Sequence, residues 1–231
     1  AEAQPSFPIS TAWKTLALYA DSGVAVHLVC GTRGEAGTVR PELLNGHASI
    51  GDLRWAELAC AAEQLQLASV THLGYRDSGI DGKGGEGTGE MPVLAAAPLE
   101  EVTAKIVWHI RRLQPQVILT HDPQGDYGHP DHLALHRATL RAFAAAADPA
   151  QYPEHGPAFA AARLYYPTFS RRWLKLAVRV LPLFGQDPAH FGRNKDIDVR
   201  PLVENTYPTT TVIDARAYLA VQVLAHTAQI R

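Results

Sequence analysis

The sequence predicts an α/β fold, with a mostly parallel sheet and helices on both faces. Two observations predict it. Short apolar runs alternate with amphipathic segments of helix length, the pattern of parallel strands joined by crossover helices. A Gly/Pro-rich loop loaded with ionisable side chains then follows the run Val117-Ile-Leu and opens onto a helix start, the usual place for a site in an open α/β sheet. At 231 residues the chain is long enough to bury one substantial core. With no internal repeat and no clean linker, residues 1–231 read as a single domain.

Residues 1–10 carry two prolines and no period, so they do not read as a strand. Thr11 to Ser22 places Trp13, Leu16, Ala17 and Ala20 at helical spacing, and Gly23 supplies the stop. Val24 to Cys30 reads as a buried strand, followed by the polar, glycine-rich loop Gly31 to Gly37. Asp52 to Leu67 reads as a helix with Leu53, Ala56, Leu58, Ala61, Ala62 and Leu65 on its apolar side. Ser69 to Tyr75 is the next strand, and residues 81–92 form a glycine-rich, lid-like loop. Leu99 to Gln114 is a helix with Val102, Ile106, Ile110 and Leu113 on one face, leading into a buried strand at 117–120. Beyond it we expect a strand at 164–166, a short helix from Trp173 to Leu181 and a polar loop from Gln186 to Asp198. An edge strand from Thr209 to Ile213 and a closing helix from Ala215 to Ile230 complete the chain.

The net charge of −2 leaves no electrostatic footprint for nucleic acid or an anionic membrane. Basic residues come at most in pairs, Arg111-Arg112 and Arg171-Arg172. No apolar run reaches the length of a membrane span, and no signal-peptide pattern opens the chain. Cys30 and Cys60 read as buried thiols rather than a disulfide framework, which suits a reducing cytoplasm. The chain opens without Met, and Met91 is its only methionine, so its first residue need not be the natural start.

The loop Ile118-Leu-Thr-His-Asp-Pro-Gln-Gly-Asp-Tyr-Gly-His-Pro-Asp-His132 organises everything else. Pro123, Gly125 and Gly128 break the strand pattern. Pro130 fits the first helical position, where its missing N–H costs nothing. Asp131 falls in the first turn, where the helix dipole favours a negative charge. His129, His132 and His136 follow the i, i+3, i+7 spacing of one helix face. A lone His at a helix start is ordinarily a cap. The crowding of His, Asp and Tyr between 121 and 136, beside glycines, points instead to a functional site.

Four motifs now stand in order: Val26-His-Leu-Val-Cys-Gly-Thr-Arg-Gly-Glu-Ala-Gly37, Tyr75-Arg-Asp-Ser-Gly79, Tyr127-Gly-His-Pro-Asp-His132 and Ala225-His-Thr-Ala-Gln229. Together they resemble the LmbE-like/PIG-L family of zinc-dependent de-N-acetylases, which includes the deacetylases of mycothiol and bacillithiol synthesis. The resemblance implies a Rossmann-like three-layer fold and hydrolysis of an N-acetyl group on an N-acetylglucosamine conjugate. It implies Zn2+ as cofactor and a small amino-sugar conjugate as partner, with self-association left open. Carried over residue by residue, it makes His132 a metal ligand and His129 the group that stabilises or protonates the reaction centre. Asp131 would orient a neighbouring histidine, and Tyr127 would donate to the developing oxyanion. Arg54, Asp77 and Glu35 match positions that contact sugar hydroxyls. The chemistry is coherent. Zinc polarises an amide carbonyl and lowers the pKa of a bound water to about 7, a carboxylate takes the water's proton, and His or Tyr assists the tetrahedral intermediate. Each residue also has a plainer reading: Arg54 and Glu57 as helix-surface charges, Glu35 as a cap, Asp77 as a turn former with Ser78.

The sequence departs from the family at its start. The family's first motif, Ala-His-Pro-Asp-Asp-Glu, supplies two zinc ligands and the catalytic base. Counting back from Thr15, the corresponding stretch is Ala3-Gln4-Pro5-Ser6-Phe7-Pro8, which keeps only Ala and Pro. Of the family's ligand set only His132 remains, whereas a catalytic zinc needs about three protein ligands. A truncated or altered form of an active enzyme, or a family member that has lost its metal and binds a sugar or glycoside without turnover, would account for this. The intact remainder of the site favours the first. A rebuilt site is a third reading: His132 and His136 have the spacing of helical zinc pairs, with His121, Asp122, Asp126 and His129 close by, although His136 also suits packing or a backbone carbonyl. A dinucleotide site fits poorly, because Gly31-Thr-Arg-Gly34 is too short and too charged.

Overall fold

The computed structural model describes residues 12–44, 46–82, 91–168, 171–190, 200 and 207–218. The stretch aligned with the family's first motif, the middle of the glycine-rich loop, most of the 186–198 loop and nearly all of the expected closing helix lie outside the described residues. The chain divides into two compact units, Ala1–Pro98 with Thr211–Arg231, and Leu99–Thr210.

The first unit contains α1 (Trp13–Asp21), β1 (His27–Cys30), α2 (Ile50–Gln64) and β2 (Ser69–His72). β1 and β2 pair in parallel, His27 opposite Ser69 and Cys30 opposite His72, as the alternation predicts. Both strands are shorter than expected. α2 starts before Asp52 because Ser49 caps it: the Ser49 hydroxyl accepts from the Asp52 backbone N–H at 3.1 Å and donates to its carboxylate at 2.7 Å. Trp13 and Ala17 of α1 pack with Ala61 and Leu65, and Leu28 and Cys30 of β1 pack with Leu58. Burial pushes the Cys30 thiol up to about 12. Cys60, expected inside, is exposed. The buried stripe of α2 runs through Leu53, Arg54, Glu57, Leu58, Ala61 and Ala62, and position 60 falls off it.

The second unit contains α3 (Leu99–Leu113), β3 (Val117–Leu119), the short turn α4 (Gly125–Gly128), α5 (Pro130–Ala147), β4 (Arg163–Tyr165) and α6 (Arg171–Val180). α3 packs along α5. The buried Val102, Ile106, Val107 and Ile110 of α3 and the buried Ala138, Ala142, Ala145 and Ala146 of α5 supply its apolar interior. Each buried Val or Ile there contributes about 1.5–3 kcal/mol relative to exposure. Glu100 and Glu101 in the first turn of α3, and Arg111 and Arg112 in the last, complement the helix dipole.

β3 pairs in parallel with β4, Val117 opposite Arg163 and Leu119 opposite Tyr165. The expectation of a buried strand fails here: Val117 is 50% and Leu119 41% exposed. β3 has β4 as its single partner among the described residues, and its β-branched run reports pairing rather than burial. The expected edge strand at 209–213 does not form either. Its residues find no ladder partner among the described residues, and Val212 is 85% exposed. No helix among the described residues is long and apolar enough to cross a membrane.

Candidate active site

The loop between β3 and α5 is built by local constraints that the sequence dictates. The buried Asp122 carboxylate accepts from the backbone N–H of Gln124 at 2.9 Å and of Asp126 at 3.0 Å, winding the chain into a turn. Gly125 then passes so close to α5 that an added Cβ would lie 2.9 Å from Leu133 Cγ and 3.1 Å from the Leu133 nitrogen, at φ +65°. Only glycine fits there without displacement. The next residue, Asp126, adopts φ 62° and ψ −91°, a costly conformation for a residue with a Cβ.

That backbone aims the Asp126 carboxylate at two imidazoles. His121 Nδ1–H donates to Asp126 Oδ2 at 2.8 Å, and His132 Nδ1 lies 3.2 Å from the same oxygen and 3.1 Å from the Gly125 carbonyl. The His121 and His132 rings stack with centroids 4.1 Å apart and 7° between planes. Burial by itself would raise the Asp126 pKa, but the hydrogen bonds from His121 and His132 outweigh it and hold the carboxyl well below its usual range. Burial lowers the His121 pKa, with the Asp126 hydrogen bond acting against it. His136 donates from Nδ1 to the His121 carbonyl at 2.8 Å, tying the loop to the helix. His136 thus bonds a backbone carbonyl, the plainer of the roles expected for it.

α5 begins as the sequence predicts, with Pro130 in the first turn and Asp131 beside it. Its cap is His129, whose Nδ1 accepts from the Asp131 backbone N–H at 3.3 Å. An accepting Nδ1 puts the proton of the neutral ring on Nε2, making that nitrogen a donor. The Asp131 carboxylate lies 3.9 Å from His129 Nδ1. The Tyr127 ring meets His129 and His132 edge-on, at 5.8 and 5.4 Å. The second unit therefore gathers Tyr127, His129, Asp131 and His132 in one place and adds His121 and Asp126. Crowding had flagged those two, but no spacing rule had singled them out.

The first unit holds the remaining expected residues. Glu35 Oε2 accepts from the backbone N–H of Arg33 at 3.2 Å and of Asp77 at 3.1 Å. Glu35 Oε1 is buried with no hydrogen-bond partner. An added Cβ on Gly51 would lie 2.8 Å from Glu35 Cγ, so this glycine makes the room for the side chain. Asp77 Oδ1 accepts from Gly79 N–H at 2.9 Å, the turn-forming role anticipated as its plainer reading. Arg54 and Glu57 are not surface charges: both are buried, and the Arg54 guanidinium donates to Glu57 Oε2 at 3.0 Å. Burial raises the Glu57 pKa, and Arg54 opposes the shift.

One ligand atom from each of His121, Asp126 and His132 lies within 4.8 Å of the other two, which makes this group a candidate metal cluster. Two imidazoles and a carboxylate are a donor set suited to zinc.

The profile of the family described as PIG-L: GlcNAc-PI de-N-acetylase matches residues 9–143, more than half of the chain. A relative from Catenulispora acidiphila, named 1D-myo-inositol 2-acetamido-2-deoxy-alpha-D-glucopyranoside deacetylase 1, is 35% identical over 226 residues, 94% of this chain and 69% of its own. Among solved structures, N,N'-diacetylchitobiose deacetylase from Pyrococcus horikoshii superposes with a TM-score of 0.54 at 19% identity, covering 76% of this chain and 65% of that one. GalB, the 4-carboxy-2-hydroxymuconate hydratase from Pseudomonas putida, superposes with a TM-score of 0.59 at 20% identity, covering 95% and 73%. The fold thus carries a hydratase as readily as a deacetylase, so likeness of fold says nothing of the reaction. Sequence similarity is the sharper guide, and it places the chain in the PIG-L family of GlcNAc-PI de-N-acetylases.

Proposed function

We propose that this protein hydrolyses the N-acetyl amide of a glucosamine conjugate, with an inositol-linked 2-acetamido sugar as the first substrate to try. The similarity to a deacetylase of such a sugar over 94% of the chain supports the substrate class. The observation that carries the chemistry is the cap of α5, which fixes the His129 tautomer with its proton on Nε2. From that nitrogen the neutral ring donates a hydrogen bond to a developing oxyanion, and only the doubly protonated ring could protonate the departing amine. Asp131, beside Nδ1, offsets positive charge if the ring becomes doubly protonated. The Tyr127 hydroxyl is a second donor.

His132 is a metal ligand in this reading, and a divalent ion, zinc by preference, supplies Lewis-acid polarisation of the amide carbonyl. In the first unit, Arg54, Asp77 and Glu35 bind sugar hydroxyls, the unpartnered Glu35 Oε1 being an acceptor ready for one. The test is acetate release from the N-acetylglucosaminyl inositol conjugate by the full chain supplied with Zn2+. His129→Ala should lower the rate by about 100-fold or more, the range for losing a positioned acid–base group. Equal rates for the two proteins would remove His129 from the chemistry.

A further inference from the structure

We infer that His121 and Asp126 complete a metal site with His132, so that the loop between β3 and α5 holds a divalent transition-metal ion with its own residues. The inference deepens the reading of His132 as a ligand but does not depend on the substrate. Tetrahedral ligands at the usual zinc distances of about 2.0–2.1 Å stand about 3.3 Å from one another. The Nδ1 atoms of His121 and His132 lie 2.8 and 3.2 Å from Asp126 Oδ2, close to that separation before any ion binds. Three protein ligands leave a fourth position open, as in catalytic rather than structural zinc sites.

Two further features go beyond a chance cluster. The first is strain. Asp126 occupies φ 62°, ψ −91°, held there by the Asp122 carboxylate and by Gly125 pressed against α5. Backbone held in such a region is characteristic of ligand clamps and active sites. The second is support from outside the cluster. The His121 carbonyl accepts from His136 Nδ1, which ties the His121 backbone to α5. His132 is held by its own place in the first turn of α5. The two rings stack with nearly parallel planes. To ligate through Nδ1, each neutral ring would carry its proton on Nε2 instead, and one ring would turn about χ2.

The experiment titrates the metal-free full chain with Co2+, read by visible d–d absorbance, and then displaces it with Zn2+. His121→Ala, Asp126→Asn and His132→Ala run in parallel, with far-UV circular dichroism as the check on folding. The wild type should bind one ion per chain, and each variant should lose at least tenfold in affinity. Asp126→Asn keeps the side-chain shape, so it decides the matter if an alanine variant fails to fold. Wild-type affinity in both His121→Ala and Asp126→Asn, with loss confined to His132→Ala, would overturn the inference while leaving the deacetylase reading in place. A wild-type chain that binds no Co2+ would overturn it as well. Ion binding at all three residues without acetate release would sustain it and defeat the proposed reaction instead.

Discussion

The two ends of α5 handle buried charge in opposite ways. At the C-terminal end the Arg111 guanidinium, from α3, is 3% exposed and fully engaged. Its Nε donates to the Ala146 carbonyl, and its terminal nitrogens donate to those of Ala145, Asp148, Gln151, Tyr152 and Gly156 at 2.5–3.2 Å. The carbonyls of Ala145 and Ala146 are among those a helix end leaves unpaired, and a cation is what the dipole favours there. Every donor is spent on backbone, so the group can do nothing but hold the helix end and the loop after it. At the N-terminal end, Asp126 Oδ2 is shared by two imidazoles on a strained backbone. There the groups have capacity left over. Saturation marks scaffold, and an over-determined but incompletely spent cluster marks a site.

That contrast breaks first at Arg111. Arg111→Ala removes the donors to six carbonyls, four of which keep a backbone N–H, so we expect a loss of about 1.5–3 kcal/mol, the range for hydrogen bonds to a charged group. Denaturant unfolding measures it, and a loss under about 1 kcal/mol would show that the cradle is not what secures α5. Gly125→Ala should come next, costing about 1–3 kcal/mol from a forced left-handed φ and disturbing Co2+ binding at the same time. Asp126→Gly sharpens the comparison from the other side. It relieves the φ 62° strain but removes the acceptor of two rings. The expected net change in stability is within about 1 kcal/mol, two modest terms of opposite sign, while metal affinity falls.

A fourth prediction concerns pH and the buried pair of the first unit. Burial raises the Glu57 pKa above 4.5, so the folded protein binds this proton more tightly than the unfolded chain. The stability this contributes is complete below pH 4.5 and is lost as pH rises through the folded value. Relative to wild type, Glu57→Gln should therefore gain stability as pH climbs through that window. Thermal unfolding between pH 4 and 8 reads it, and parallel curves for the two proteins would contradict the assignment. The smallest effect belongs to Lys105→Ala, which removes an exposed pair with Glu101 at 3.5 Å. It should cost about 0.5 kcal/mol or less.

The same contrast explains what the sequence disclosed. The start of α5 was legible because its causes are local: Pro130 sets φ and Asp131 answers the dipole, whereas the cap that His129 makes was the reading the sequence set aside. The alternation of strands and helices was likewise enough to predict parallel pairing. Arg111 was not legible. In the sequence it is half of a basic pair, and its partners lie 34 to 45 residues away. Asp126 was visible only as one of several crowded acids, since its direction depends on how closely Gly125 approaches Leu133. Burial was misjudged wherever it depended on neighbours in space, at Cys60, Val117 and Leu119. Composition reports what a segment can do, and only the fold decides which face it buries.

Acetate release from an N-acetylglucosaminyl inositol conjugate by the Zn2+-supplied full chain, wild type beside His129→Ala and Arg111→Lys at matched folded fraction, separates the two ends of α5. Wild type should release acetate, Arg111→Lys should do so within a few-fold of it, and His129→Ala should fall by about 100-fold. Turnover that survives in His129→Ala but falls with Arg111→Lys would contradict this division, because chemistry would then follow the end of α5 assigned to scaffold.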